Sequence, residues 1–312
     1  MGFDTSFHPI DLPLIENRLL PYLAGQGDDH GIDDLIARAV EIRKTRFRAK
    51  AWALGAQDYA LDNEGLLFDA HLHVWGRPFF IVADAPDQIA EDMQRYLAAS
   101  GDGVDALARE MLCRLDPTLP RQIRPDESGQ LPADTVIADA FATPLRMLRG
   151  AAIALRSGER IVRRSGDGRE FDAAGLLTRE VPYCMVEFAA ALLPGWMSRG
   201  YTWPTQLCRD VEVSAEGFTV PTVLTGLLRE EFADLEWAEP PATIVSNYTV
   251  GGLVAAGAVP GARVHLARHR DVLKCDALDL QKIDEAMGVA EHLGLAFCEA
   301  TEIYSGMEGN LN

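Results

Sequence analysis

The order of the predicted helices and strands limits the folds that this chain can adopt. Apolar positions with helical spacing predict helices at residues 14–23, 33–55, 84–99, 104–115, 134–155, 184–193, 220–232 and 278–293. Alternating or continuous short apolar runs predict strands at residues 3–8, 66–75, 79–82, 161–164, 169–171, 242–248, 263–267 and 295–303. These segments follow one another without a regular βαβ rhythm. The sequence therefore predicts an α+β fold of mixed helices and mostly antiparallel strands.

A proline-rich segment divides the chain. Residues 117–132 contain four prolines among polar neighbours, a composition typical of a linker or a long surface loop. Two organisations are consistent with this segment. In one, residues 1–116 and 133–312 form two α+β regions joined by a linker; in the other, the segment is a loop within one continuous domain. The length of 312 residues permits either.

Composition and charge restrict the classes of partner. The net charge of −18 argues against nucleic-acid binding, because neutralising phosphates requires a basic surface. No uncharged apolar run is long enough to predict a membrane span. The five cysteines are scattered and form no C-x-x-C pair, which favours reduced thiols and a cytoplasmic location. The acidity is compatible with solubility alone or with attraction of a basic protein.

One short segment concentrates groups that could bind a metal. Asp69, His71 and His73 occupy alternate positions of the run 66–75. If this run is a strand, the three side chains share one face, because side chains alternate between the faces of a strand. Such a face could bind a divalent metal such as zinc. The other interpretation is that both histidines are half-buried strand residues with ordinary hydrogen bonds.

The pattern Asp69-Ala-His71-Leu-His73 resembles the D-x-H-x-H start of the amidohydrolase superfamily, in which a strand-borne histidine pair binds a catalytic metal. That resemblance implies a metal-dependent hydrolase and further histidines on later strands. The next histidine in this chain is His265, so the sequence supplies none for the intervening strands. A catalytic zinc site needs three protein ligands and an open position.

A basic segment stands out within the acidic chain. Its members are Arg43, Lys44, Arg46, Arg48 and Lys50, with Trp52 close by for stacking. They could form a patch that binds an anion or a partner. Alternatively, they could lie near the C-terminal end of a long helix, favoured by its dipole and paired with acidic neighbours.

Two functions follow from these patterns. The first is a non-catalytic, acidic cytoplasmic binding protein, such as an inhibitor or immunity-type protein that acts on a basic protein partner. It is favoured by the charge and by the lack of a complete catalytic motif in the sequence. The second is a metal-dependent hydrolase that uses Asp69, His71 and His73.

Overall fold

The computed structural model describes residues 4–301 except 64, 67, 165, 201, 220, 221 and 238–248. The helices are α1 (Leu12–Leu14), α2 (Leu20–Leu23), α3 (Asp33–Asp62), α4 (Pro86–Ala98), α5 (Asp102–Leu115), α6 (Leu119–Gln122), α7 (Asp134–Arg156), α8 (Ala173–Leu192), α9 (Pro204–Asp210), α10 (Gly226–Glu231), α11 (Val259–Arg268) and α12 (Ala277–Leu293). The strands are β1 (Thr5–Ile10), β2 (Ile161–Arg163), β3 (Glu170–Asp172), β4 (Trp196–Ser198), β5 (Phe218–Thr219), β6 (Val250–Val254) and β7 (Ala296–Thr301). Short π-helical turns cover Ile15–Leu19 and His71–Gly76, and 3₁₀ turns cover Thr222–Thr225 and Ala256–Ala258.

Within the described residues, the strands form a five-stranded sheet in the order β4-β1-β7-β6-β5 and a separate β2-β3 hairpin. Every pairing is antiparallel. This arrangement confirms the predicted α+β fold. The first and last strands of the described residues are neighbours in the sheet, because β1 pairs with β7 in a continuous register from Thr5↔Thr301 to Ile10↔Ala296.

Both faces of the sheet centre are covered. Every residue of β1 and β7 is buried, although successive side chains point to opposite faces. Helices α8 and α12 both contact these two strands, and α12 also packs against α4 and α11. None of the helices in the described part of the chain is long and apolar enough to cross a membrane.

Local end signals explain several helix boundaries. Pro86 occupies the first turn of α4, where its missing N–H removes no hydrogen bond. Asp276 caps the N-terminus of α12, since its side chain accepts a hydrogen bond from the Leu278 N–H, and Gly294 follows the last helical residue. Gly294 has a φ of +67°, a left-handed conformation that glycine adopts without a steric penalty. The predicted end of this helix at Gly294 is confirmed.

Other predictions need correction. Residues 263–267 belong to helix α11 and not to a strand, and Pro260 lies in the first turn of that helix. Residues 79–82 are largely buried, as predicted, but they form no strand ladder with the described residues. The predicted strand at 242–248 lies outside the described residues.

The proline-rich segment 117–132 packs against α3. The Asp126 N–H donates to the Ala51 carbonyl at 2.8 Å. At Gly55, an added Cβ would lie 1.8 Å from the Arg124 carbonyl oxygen, so only glycine permits this approach. The division of the chain into two regions or one domain stays a prediction.

Candidate functional site

The segment that carries Asp69, His71 and His73 is not a strand. Residues His71–Gly76 form a π-helical turn that begins just after Asp69. The Asp69 carbonyl accepts the Leu72 and His73 N–H groups, and its side chain also accepts from Leu72. In a helical turn, residues two apart do not share a face. The prediction that the three side chains line one strand face is therefore wrong.

The two histidines lie in different environments. His73 is buried, its ring stacks on Phe68 with centroids 5.0 Å apart, and its Nδ1 lies 3.0 Å from the Ile81 carbonyl oxygen. Burial, together with the positive charge of Arg77, lowers the pKa of His73 to about 4. The ring is thus neutral near pH 7. His71 is exposed and donates to no described residue.

His71 lies at the wall of a cavity of about 360 Å³ beside the start of α12. The cavity is also lined by Trp75, Asp279 and Lys282. Lys282 forms an ion pair with Asp279 at 3.1 Å, and Asp279 also accepts from the Thr202 hydroxyl at 3.0 Å. These contacts pair Lys282 with Asp279, whereas Asp4, Arg199 and Asp276 also line the cavity.

The described residues contain no group of three or more histidine, cysteine, aspartate or glutamate side chains that could hold a metal ion. The metal assignment of Asp69, His71 and His73 thus lacks the strand geometry on which it was based. His265 lies on α11 and His269 lies at its end, with ring centroids 4.5 Å apart. His265 contacts the Ser214 carbonyl at 2.7 Å and Glu216 at 2.9 Å.

The basic segment lies in the middle of α3 and does not form an exposed patch. Arg43, Arg46 and Lys50 are buried. The two other cations are in ion pairs: Lys44 with Glu41 and Asp134, and Arg48 with Asp105 and Glu127. The prediction of acidic partners is confirmed for Lys44 and Arg48. The expected position at the helix C-terminus is wrong, because α3 continues to Asp62.

Trp52 is also unavailable for stacking on a ligand. It is fully buried, and its indole N–H donates to Asp105 at 2.8 Å. The Arg109 guanidinium lies over the ring at 5.1 Å from its centroid. A partner or anion therefore cannot reach this face without displacing Arg109.

Lys50 extends into a buried polar network that the sequence does not reveal. Its Nζ donates to the carbonyls of His73 and Arg77. Burial, with Arg46 and Arg77 nearby, lowers the pKa of Lys50 well below its usual value. Arg77 in turn forms a bidentate ion pair with Glu285, which is 3% exposed at its side chain. This network joins α3 to α12 through the turn at His71–Gly76.

A second buried carboxylate belongs to Glu299 in β7. It accepts hydrogen bonds from the Thr205 N–H at 3.1 Å, the Gly252 N–H at 2.7 Å and the Thr205 hydroxyl. Burial raises the pKa of Glu299 to about 7, although these three donors act in the opposite direction. The contacts join β7 to β6 and to the start of α9.

One cleft in the described part of the chain is lined mainly by acidic side chains. It has a volume of about 950 Å³ and lies between the segment at 82–85, helix α4 and the end of α5. We call it the acidic cleft and define it by its charged lining residues: Asp84, Glu91, Asp92, Asp116 and Arg114.

The cation of the acidic cleft is already neutralised. Arg114 contacts both oxygens of the buried Asp92 and also Glu110, at 2.7 Å. Asp84, Glu91 and Asp116 are exposed and form no ion pair with the described residues. The Asp116 carboxylate accepts from the Thr118 hydroxyl and N–H, which lowers the pKa of Asp116. The cleft therefore offers three carboxylates to an incoming cation.

This cleft is not apparent from the sequence. Asp84 and Glu91 are close in the chain, and the acidic stretch around them is visible in the sequence. Asp116 belongs to the end of another helix, and only the packing of α4 against α5 brings it there.

No protein-family model, curated protein or solved structure matches this chain.

Proposed function

We propose that this protein is an acidic cytoplasmic binding protein that acts on a basic protein partner, as an inhibitor or immunity-type protein does. The acidic cleft carries the proposal. Its three exposed carboxylates, Asp84, Glu91 and Asp116, face about 950 Å³ of open space with no unpaired cation among the cleft's described residues. Lysine or arginine side chains of a partner would supply the missing positive charge.

The distribution of buried charge supports the same proposal. Six basic side chains are buried among the described residues: Arg43, Arg46, Lys50, Arg77, Arg149 and Lys282. Three acidic side chains are buried: Asp92, Glu285 and Glu299. Folding thus withdraws more positive than negative charge from the surface, so the surface is more acidic than the net charge of −18 suggests. Such a surface accelerates association with a basic partner by long-range attraction.

The test uses two variants with the same change in charge. The cleft variant carries Asp84→Asn, Glu91→Gln and Asp116→Asn. The control variant carries Asp58→Asn, Asp62→Asn and Asp139→Asn, which are exposed acids outside the cleft with no ion pair to a described residue. Proteins that the immobilised wild type retains from its source cells are identified and purified, and their dissociation constants are measured by calorimetry at low and high salt.

We expect a basic partner whose affinity falls at least about tenfold for the cleft variant, since three charge-assisted contacts are lost. The control variant should retain nearly the wild-type affinity for the partner. High salt should weaken the binding of the partner to the wild type and to the control variant. A partner that is acidic, or one that binds the cleft variant as tightly as the wild type, would contradict the proposal. Retention of no protein at stoichiometric level would contradict it as well.

A further inference from the structure

A separate cavity lies where α9, α11 and α12 meet, on residues that the acidic cleft does not use. It has a volume of about 360 Å³, within the range of small-molecule pockets. Eight of its twelve lining residues are apolar, and Gln281 and Asp284 are among the polar ones. The larger apolar residues come from all three helices and the segment after α11: Leu207, Leu266, Leu273, Leu280, Ile283 and Met287. We call it the α11–α12 cavity.

Two arginines line this cavity, and they differ in their partners. Arg263 is neutralised by Asp284, at 2.6 and 3.1 Å, and by Glu291, at 3.1 Å. Arg270 is exposed, and its guanidinium forms no hydrogen bond or ion pair with the described residues. An apolar cavity thus carries one cation whose charge is not compensated within the described part of the chain.

We propose that the α11–α12 cavity binds a small amphipathic carboxylate, such as a medium-chain fatty acid. The apolar chain occupies the space between Leu266 and Met287, where its burial from water stabilises the complex. The carboxylate pairs with Arg270, whose planar guanidinium matches carboxylate geometry with two parallel hydrogen bonds.

The specificity follows from the same two features. A neutral alcohol of equal chain length fills the cavity but leaves Arg270 without a partner. An ammonium of equal length places a second cation beside Arg270. The carboxylate therefore binds more tightly than either analogue, and chain length contributes through the apolar area that it buries.

Calorimetric titration of the full-length protein with octanoate, 1-octanol and octylammonium tests this proposal. We expect saturable binding of octanoate at one site and binding of 1-octanol that is at least about tenfold weaker. Arg270→Ala should weaken octanoate to the same extent. Arg268→Ala is the matched control, because Arg268 is exposed two positions before Arg270, at the end of α11, and does not line the cavity; it should bind octanoate like the wild type.

A second variant tests whether octanoate binds within the cavity. Leu280 is partly buried at the wall, and Leu280→Trp fills the space with its larger side chain. This variant should lose octanoate binding while keeping the circular dichroism of the wild type. If Leu280→Trp fails to fold, the comparison of the three ligands and of the wild type with Arg270→Ala still tests the proposal.

Three results would overturn the proposal: no saturable binding of octanoate, equal affinity for octanoate and 1-octanol, or unchanged affinity in Arg270→Ala. A fourth concerns a second copy of this chain, since Val264 and Val272 nearby are 57% and 51% exposed. If sedimentation shows a dimer that Val264→Asp dissociates, the face is a subunit interface and the proposal is wrong. The acidic-cleft variant should bind octanoate normally, so the two proposals fail independently.

Discussion

The guanidinium of Arg77 donates two hydrogen bonds to the carboxylate of Glu285, at 2.9 and 2.7 Å, between residues that are 208 positions apart in the chain. Arg77 is fully buried, and Glu285 is 2% exposed. Glu285 also accepts from the Trp196 indole at 3.0 Å and from Gln281 at 2.9 Å. The pair is therefore fully hydrogen-bonded, which is the condition under which a buried ion pair is tolerated.

Removal of one member of this pair should be costly. We expect Arg77→Met to lower the free energy of unfolding by about 3–5 kcal/mol, because Glu285 is left as an uncompensated buried charge. The double variant Arg77→Met/Glu285→Gln should be more stable than Arg77→Met alone, since the charge is removed. Urea denaturation followed by circular dichroism measures both.

The control for this pair is Arg163→Met, which removes an exposed ion pair with Glu170. Its effect should stay within about 0.5 kcal/mol, as is usual for surface pairs. If Arg77→Met were as stable as Arg163→Met, the prediction that Glu285 is left as an uncompensated buried charge would be wrong. A double variant less stable than Arg77→Met would contradict the same prediction.

Glu299 should make stability fall as pH rises. Its pKa is about 7 in the folded protein, against 4.5 as the ordinary value, so between these pH values the folded state binds more protons than the unfolded state. This contribution is complete below pH 4.5 and is lost by about pH 7. The loss is on the order of 3 kcal/mol for a shift of this size.

The measurement compares the wild type with Glu299→Gln by urea denaturation from pH 4.5 to 8. The difference in unfolding free energy, wild type minus variant, should decline with pH and level off above pH 7. Glu159→Gln, which removes an exposed acid whose side chain forms no hydrogen bond or ion pair with a described residue, is the control. A flat difference for Glu299→Gln would contradict the raised pKa.

The pKa values of two histidines should lie on opposite sides of the ordinary histidine pKa of 6.5. The pKa of His73 is lowered to about 4 by burial and by Arg77, whereas the pKa of His30 is raised by its hydrogen bond to Asp33 at 2.7 Å. Between about pH 4 and 6.5 the unfolded state binds the proton that folded His73 does not, so this group costs stability as pH falls.

NMR of the imidazole Cε1–H resonances from pH 4.5 to 8 should assign a midpoint above 6.5 to His30. The His73 resonance should show no midpoint in this range. Asp33→Asn should lower the His30 midpoint without moving the His73 resonance. A His73 midpoint near 6.5 would mean that its ring is exposed to water.

Two glycines in helices should respond to alanine in opposite ways. Gly55 in α3 has the Arg124 carbonyl oxygen 1.8 Å from the position of an added Cβ, so Gly55→Ala must displace the backbone of the proline-rich segment. We expect a loss of about 1–3 kcal/mol in unfolding free energy. Gly261 in α11 has open space around it, and Gly261→Ala should stabilise by up to about 1 kcal/mol through helix propensity.

Thermal and urea denaturation of Gly55→Ala and Gly261→Ala measure these two changes in unfolding free energy. Stabilisation by Gly55→Ala would show that the segment at 124–125 does not lie against α3. The comparison therefore also tests the packing of residues 117–132 on the first half of the chain.

Local signals in the sequence predicted many elements correctly. The helix after Pro86, the helix that ends at Gly294 and the hairpin of β2 and β3 all depend on backbone preferences of a few neighbouring residues. The prediction of a strand at 66–75 was wrong because short apolar runs with alternating polar residues are ambiguous between a strand and a helical turn. The prediction of a strand at 263–267 was wrong for the same reason, although Pro260 in the first turn of α11 is a helix-start signal.

The α+β class, the acidic balance and the ends of the best-marked helices could be predicted from the sequence, because each depends on composition or on residues a few positions apart. Which charged side chains are exposed to water depends on the packing of distant segments. That packing buries Arg46 and Lys50 in α3, pairs Arg77 with Glu285 and brings Asp116 beside the cleft of Asp84 and Glu91. Burial and pairing depend on contacts between distant segments, and no local pattern of residue types specifies those contacts.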